Sequence, residues 1–301
     1  MRTKSTKLGY RSKYGSMFVA TAESFLRSKA AERFKGKVQL IFTSPPFPLN
    51  RKKKYGNLQG EAYVTWLEDV GILLKEFLSK NGSVVIEIGN AWQQGSPVMS
   101  TLALRALLAF QEFAELKLCQ QFICYNPARL PSPAQWVNVE RVRVKDAFTH
   151  VWWMSPSTRP KANNRRVLQP YSQSMLDLLK AQKYNAGRRP SEHKIGETSF
   201  LKNNKGAIPS NVLTISNTRA NDPYQKYCRR HRLPTHPARM QPELAEFFIK
   251  FLTNSGDLVL DPFAGSNTTG ASAEKLKRKW ISIELNEKYV KGSRGRFVQT
   301  S

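Results

Sequence analysis

Two short stretches carry the residue types that do chemistry. The first is Thr43-Ser44-Pro45-Pro46-Phe47, at the end of the apolar run Val38-Gln39-Leu40-Ile41-Phe42. That run is short, rich in β-formers and stopped by two prolines, so it predicts a buried strand. Proline drives the preceding residue out of the helical region and has no N–H to donate, so the strand ends in a stiff, extended corner. The corner offers carbonyl oxygens, one hydroxyl and an aromatic face, with almost no donors. It suits a flat ligand bearing an amino group, with Phe47 stacked on the ring. Taken alone, it reads equally well as an ordinary strand-ending turn.

The second stretch is near the other end. Asp257-Leu258-Val259-Leu260-Asp261 predicts a strand, residues 262–270 a small-residue turn into a helix over about 267–277, and Lys279-Trp280-Ile281-Ser282-Ile283-Glu284 the next strand. Strand, glycine turn, helix and strand ending in an acid make a βαβ nucleotide-binding unit. Glu284 follows Gly265 by 19 residues, near the offset at which a carboxylate reaches ribose hydroxyls. The turn has only Gly265 and Gly270, not G-x-G-x-x-G, which argues against a dinucleotide. Asp261 beside it repels pyrophosphate and favours an amino or sulfonium group. S-adenosyl-L-methionine, an adenosyl ligand with a positive charge, meets both conditions.

These residues need a sheet to hold them. Residues 61–79 show helical spacing through Tyr63, Trp66, Leu67, Val70, Leu74 and Phe77, with Asn81-Gly82 as the expected C-cap. A strand follows over 83–89, a helix over 99–116, and strands over 118–125 and 147–154, the last holding Trp152 and Trp153 as core. A further helix follows Pro242, with Leu244, Phe247, Phe248, Phe251 and Leu252 on one face. Alternating strands and helices predict an α/β fold with a mostly parallel sheet covered on both faces. Two C-terminal strands cannot form a sheet alone, so they join those at 38–42 and 83–88, and the two chemical stretches meet at the carboxyl edge. Residues 1–14 read as a basic arm and 22–34 as one helix.

The net charge of +26 is uneven. Residues 1–60 hold 14 Lys/Arg against 2 Asp/Glu, residues 61–155 hold 8 against 9, residues 156–235 hold 16 against 4, and residues 236–301 hold 10 against 7. Two segments of +12 flank a neutral body, the pattern of a protein gripping a polyanion. DNA or RNA is the expected partner, ahead of an anionic membrane surface, for which no amphipathic basic helix speaks. The candidate phosphate contacts are Arg51, Lys52, Lys53, Lys54, Arg141, Arg143, Lys145, Arg188, Arg189, His193 and Lys194. No apolar run of about 18 residues predicts a membrane span, and the N-terminal residues carry charge without the apolar core of a secretory signal. Cys119, Cys124 and Cys228 form no CxxC pair, so they read as reduced, buried thiols in a reducing cytosol, with no zinc site.

The Ser-Pro-Pro-Phe corner, the Asp-Pro-Phe-Ala-Gly-Ser turn and their order resemble the amino-methylating DNA methyltransferases. The nearer likeness is to the cytosine-N4 enzymes of restriction–modification systems, in the permuted class whose catalytic motif precedes the cofactor motif. It extends through Leu130-Pro131-Ser132-Pro133, Arg143-Val144-Lys145-Asp146-Ala147, Val151-Trp152-Trp153 and His236-Pro237-Ala238-Arg239. The resemblance implies a Rossmann-like S-adenosylmethionine-dependent methyltransferase sheet with one antiparallel strand around 147–154. It implies a discontinuous catalytic domain, 1–155 with 236–301, and a less regular target-recognition region at 156–235. It makes Ser44, Pro45, Pro46 and Phe47 catalytic. Thr43, Asp261, Pro262, Phe263, Gly265, Ser266, Thr268 and Glu284 would hold the cofactor, with His236, Pro237 and Ala238 closing its site. The target base would be flipped from the duplex, a restriction endonuclease would share the site, and the enzyme would act as a monomer. Where relatives place an acid after the first strand, this chain has Ala20-Thr21-Ala22. An adenine-N6 enzyme, a methyltransferase of RNA or another amide, and a non-catalytic nucleic-acid binder are the competing readings.

Overall fold

The computed structural model describes residues 6–47, 58–184, 187–188, 190–192, 194–196, 198, 200–216 and 222–298. Arg51, Lys52, Lys53, Lys54, Arg189 and His193 lie outside the described residues, and only the backbone of Lys194 is described.

Nine strands of the described residues form one sheet. In chain order they are β1 (Lys7–Arg11), β2 (Gly15–Val19), β3 (Val38–Thr43), β4 (Leu78–Gly89), β5 (Lys117–Tyr125), β6 (Phe148–Ser155), β7 (Val212–Thr214), β8 (Leu258–Asp261) and β9 (Lys279–Glu284). Their order across the sheet is β1-β2-β9-β8-β3-β4-β6-β5-β7. All run in one direction except β6, antiparallel to β4 and β5, and β1, antiparallel to β2. The helices are α1 (Ala22–Leu26), α2 (Gly60–Lys75), α3 (Leu102–Phe113), α4 (Gln173–Ala181), α5 (Pro223–Arg230), α6 (Pro242–Leu252), α7 (Thr268–Lys275) and α8 (Glu287–Ser293); α1, α2, α3 and α7 link strands of the sheet that run in one direction.

The central strands are apolar on both faces, as a doubly covered parallel sheet requires. Ile41 of β3 packs in one cluster with Phe25, Leu67, Leu74 and Phe110 from α1, α2 and α3. Leu40 and Phe42 pack in the other with Leu244, Phe248 and Leu252 of α6. Trp152 and Trp153 are both buried in the core.

Three local expectations change. Residues 7–11 are a strand rather than an arm, because Tyr10 is buried and its hydroxyl meets Ser293 Oγ at 2.7 Å. The helix expected over 22–34 breaks, with Arg27 ending α1 and Ser28 starting a separate turn. Asn81-Gly82 does not cap α2. That helix ends at Glu76, and β4 begins at Leu78, paired with Val38. Burying Phe77 and Leu78 outweighs the capping propensity of Asn-Gly.

The chain divides into two compact units, Met1–Ala162 with Asn211–Ser301, and Asn163–Ser210. The first holds the whole sheet. The second is built on α4, whose first turn is capped by Ser172 Oγ accepting from Met175 N at 3.3 Å. The Tyr184 and Phe200 rings pack within it, tilted by 47° with centroids 4.9 Å apart.

Candidate functional site: a catalytic corner beside a cofactor turn

β3 and β8 are adjacent and parallel, so their carboxyl ends emerge side by side. The link between the two chemical stretches is one hydrogen bond: Thr43 Oγ1 donates to Asp261 Oδ1 at 2.7 Å. Thr269 Oγ1 donates to Asp261 Oδ2 at 2.6 Å, and Phe263 N to Oδ1 at 3.1 Å. With three protein donors, Asp261 fixes the turn and the corner relative to each other. Burial raises its pKa to about 6, because desolvation penalises the carboxylate more than these donors favour it.

The turn itself is shaped by small residues. Gly265 has φ +51°, and a Cβ there would lie 3.1 Å from the His236 ring. Asn267, also left-handed at φ 56°, caps α7 by accepting from Gly270 N at 3.1 Å. Glu284, at the end of β9, is half-buried. It accepts from Gly265 N at 3.0 Å and from Asn286 N at 2.7 Å, so one carboxylate joins the turn to the start of α8. Burial raises its pKa. Ser266 and Thr268 are buried, with their hydroxyls 3.3 Å apart. Pro262 is buried, and the half-buried Phe263 ring lies 5.4 Å from Trp66. His236 completes this wall: its ring packs edge-on to Tyr289 at 4.7 Å, its Nδ1 pairs with the Ala238 carbonyl, and its N–H donates to Tyr224 Oη at 2.8 Å. Pro237 and Ala238 are exposed.

On the corner side, Pro45 is buried, while Ser44, Pro46 and Phe47 are half-buried. The Ser44 hydroxyl is hydrogen-bonded to Glu87 of β4. Glu87 is a buried carboxylate that also accepts from Thr149 Oγ1 of β6 at 2.9 Å. Burial pushes its pKa up against these hydrogen bonds and the positive charge of Arg129. Phe47 lies against Gly89, where a Cβ would come within 2.5 Å of the ring.

Glu87 and Gly89 contact the corner and Arg296 contacts the turn, and none of the three stood out in the sequence. Glu87 and Gly89 sit at the end of β4, after the apolar run Val84-Val85-Ile86. Arg296 lies near the chain's end, yet its guanidinium is buried, donating from Nε to the Ser266 carbonyl at 2.7 Å and pairing with Asp222 at 3.2 Å. Glu87 gains its place only from the pairing of β4 beside β3, which brings it to Ser44. Arg296 had no signal in the sequence.

Arg141, Arg143 and Lys145 share the loop before β6. Arg141 is exposed. Arg143 pairs with Asp146 at 3.7 Å and donates to the Pro97 carbonyl at 2.7 Å. Lys145 Nζ donates to the carbonyls of Pro127 and Arg129 at 3.1 and 3.2 Å. Arg188, in the second unit, pairs with Glu192. Thr21 caps α1 by accepting from Ser24 N at 3.1 Å.

A family model described as a DNA methylase, of the N6/N4 methyltransferases, matches residues 38–294. The Type II methyltransferase M.PvuII of Proteus hauseri is 41% identical over 297 residues, covering 98% of this chain and 87% of that protein. A solved structure of the PvuII DNA methyltransferase, described as cytosine-N4-specific, superposes with TM-score 0.78 at 36% identity, covering 98% of this chain and 90% of the other. The complex of M1.HpyAVI with SAM, at 18% identity and TM-score 0.56 over 94% of this chain and 98% of that one, shares the fold. From the joined corner and turn and from these likenesses, the chain belongs to the N6/N4 family of DNA methylases.

Proposed function

We infer that the protein transfers a methyl group from S-adenosyl-L-methionine to the exocyclic N4 of a cytosine flipped out of double-stranded DNA. The hydrogen bond from Thr43 to Asp261 carries this reading, because it fixes an amino-accepting corner beside a turn built for a cationic adenosyl ligand.

The residues present fit that ligand. Glu284 is half-buried at the offset for ribose hydroxyls, the backbone at Gly265 carries no side chain, and Asp261 and Glu284 give the turn negative charge. When bound, S-adenosylmethionine supplies an electrophilic methyl on a sulfonium. The chain's task is to make a poor nucleophile attack it. The cytosine amino lone pair is conjugated with the ring. The Ser44 hydroxyl and the Pro45 carbonyl accept its two N–H groups and localise the pair on nitrogen. Phe47 replaces the stacking lost on flipping. As the N–C bond forms, the amino group loses a proton. Ser44 accepts it and passes its own to Glu87, whose burial gives it a higher proton affinity than an exposed glutamate. No covalent enzyme intermediate is needed. Holding both reactants in line supplies much of the rate.

Residues 156–235 form the target-recognition region in this reading, and the basic candidates contact phosphates. The enzyme acts as a monomer in the bacterial cytoplasm, with an endonuclease reading the same site; the relative's Type II assignment supports that companion. Nucleoside mass spectrometry of DNA incubated with the protein and S-adenosylmethionine tests the chemistry. The expected product is N4-methylcytosine. Finding N6-methyladenine instead, or no modified base, would overturn it.

A further inference from the structure

Residues 126–147 connect β5 to β6. This loop carries four strongly exposed apolar side chains: Leu130 at 80%, Val139 at 68%, Val142 at 61% and Val144 at 86% exposure. It is nonetheless built rigidly. Asn126 N donates to the Ala147 carbonyl at 2.7 Å and closes the base, and Asp146 N donates to the Ser132 carbonyl at 3.3 Å. Lys145 Nζ ties its own limb to the carbonyls of Pro127 and Arg129. Both limbs are therefore joined at the level of Leu130 and Val144. A loop stapled this way holds its apolar tips out in water rather than folding them inward.

The loop's position names the occupant. It runs directly into Phe148 and Thr149, and Thr149 shares Glu87 with Ser44. The apolar tips thus rise from the sheet edge that carries the catalytic corner. The same residues hold four cations, Arg129, Arg141, Arg143 and Lys145, against two acids, Glu140 and Asp146. Apolar side chains framed by positive charge match the inside of a polyanionic double helix. Proteins that unstack a duplex insert such aliphatic wedges between base steps.

We propose that Leu130, flanked by Val144, is the wedge that enters the duplex where the target cytosine leaves it. The inference rests on the methyltransferase reading of the same edge. These are positioning residues, acting on the duplex and not on the reacting atoms.

The test uses the full-length protein and the L130A/V144A double variant, on duplexes carrying the site mapped by sequencing methylated DNA. One duplex is fully paired. A second places the target cytosine opposite an abasic site, so that no pair has to be broken. A third carries pyrrolo-cytosine at the target to report unstacking by fluorescence. The variant is expected to methylate the paired duplex at least ~10-fold more slowly, to keep activity on the pre-opened duplex within roughly twofold, and to lose the fluorescence rise. Equal loss on both substrates, or no loss on either, would overturn the wedge. So would sedimentation showing a wild-type dimer that the variant dissociates, since the patch would then be a self-interface. Wild-type protein inactive on both duplexes would instead sink the methyltransferase reading itself.

Discussion

Ser44 and Glu87 make up the part of the site where the reaction's proton goes. Ser44→Ala is expected to lower the methylation rate about 100-fold, with S-adenosylmethionine affinity unchanged by calorimetry, because Ser44 faces the base. Glu87→Gln keeps the acceptor for Thr149 and Ser44 but removes the base. Burial raises the Glu87 pKa, so the carboxylate of the folded enzyme is lost at higher pH than an exposed glutamate's. Activity should fall on the acid side of the wild-type rate profile, and that limb should vanish in the slow Gln variant. For stability the sign runs the other way. A raised folded pKa favours the native state below the unfolded value and is lost as pH rises through the folded one. Asp261, at about 6 folded against about 3.9 unfolded, therefore costs about 3 kcal/mol of stability above pH 6, by 1.36 kcal/mol per pKa unit. Denaturant midpoints of wild type and Asp261→Asn should converge towards pH 4. Ser44 and Asp261 were legible from type and spacing, whereas Glu87 was not, since its meaning comes from a neighbour 43 positions away, 87 against 44.

The two chemical stretches are set by elements rather than by single residues. β3 delivers the corner, β8 the turn, and β4 the acid and the glycine beneath Phe47. Gly89→Ala would place a Cβ 2.5 Å from the Phe47 ring. The ring must then move, with a stability cost of about 1–3 kcal/mol and a lower kcat. Circular dichroism should show the fold retained. Arg296→Met should weaken S-adenosylmethionine binding without touching the corner, because Arg296 holds the Ser266 carbonyl and hydroxyl; calorimetry reads this directly. Strand and helix types were legible because apolar periodicity is strong in β3, β8, α2 and α6. Two of the misread boundaries lie where tertiary burial decided. Tyr10 draws the N-terminal segment into the sheet, and Phe77 with Leu78 ends α2 early. No local signal records either event.

Across the whole molecule, charge and sheet order do different work. The two segments of +12 predict binding that weakens steeply with salt, log K falling against log salt by about 0.9 per phosphate neutralised. Fluorescence anisotropy with a labelled duplex should give a slope steeper than about −4; a flat response would contradict the polyanion reading of the charge. The parallel sheet was legible from alternating elements, but the edge strand β1 was not. Everything depends on the carboxyl edge, where β3 and β8 lie side by side and Thr43 meets Asp261. A crystal structure with sinefungin, whose amine stands in for the transferable methyl, and a duplex bearing the mapped site tests this most directly. The account predicts the flipped cytosine stacked on Phe47, its N4 on Ser44 Oγ and the Pro45 carbonyl and about 3–3.5 Å from the sinefungin amine. A cytosine still paired in the duplex, or sinefungin bound away from the turn between Asp261 and Glu284, would contradict it.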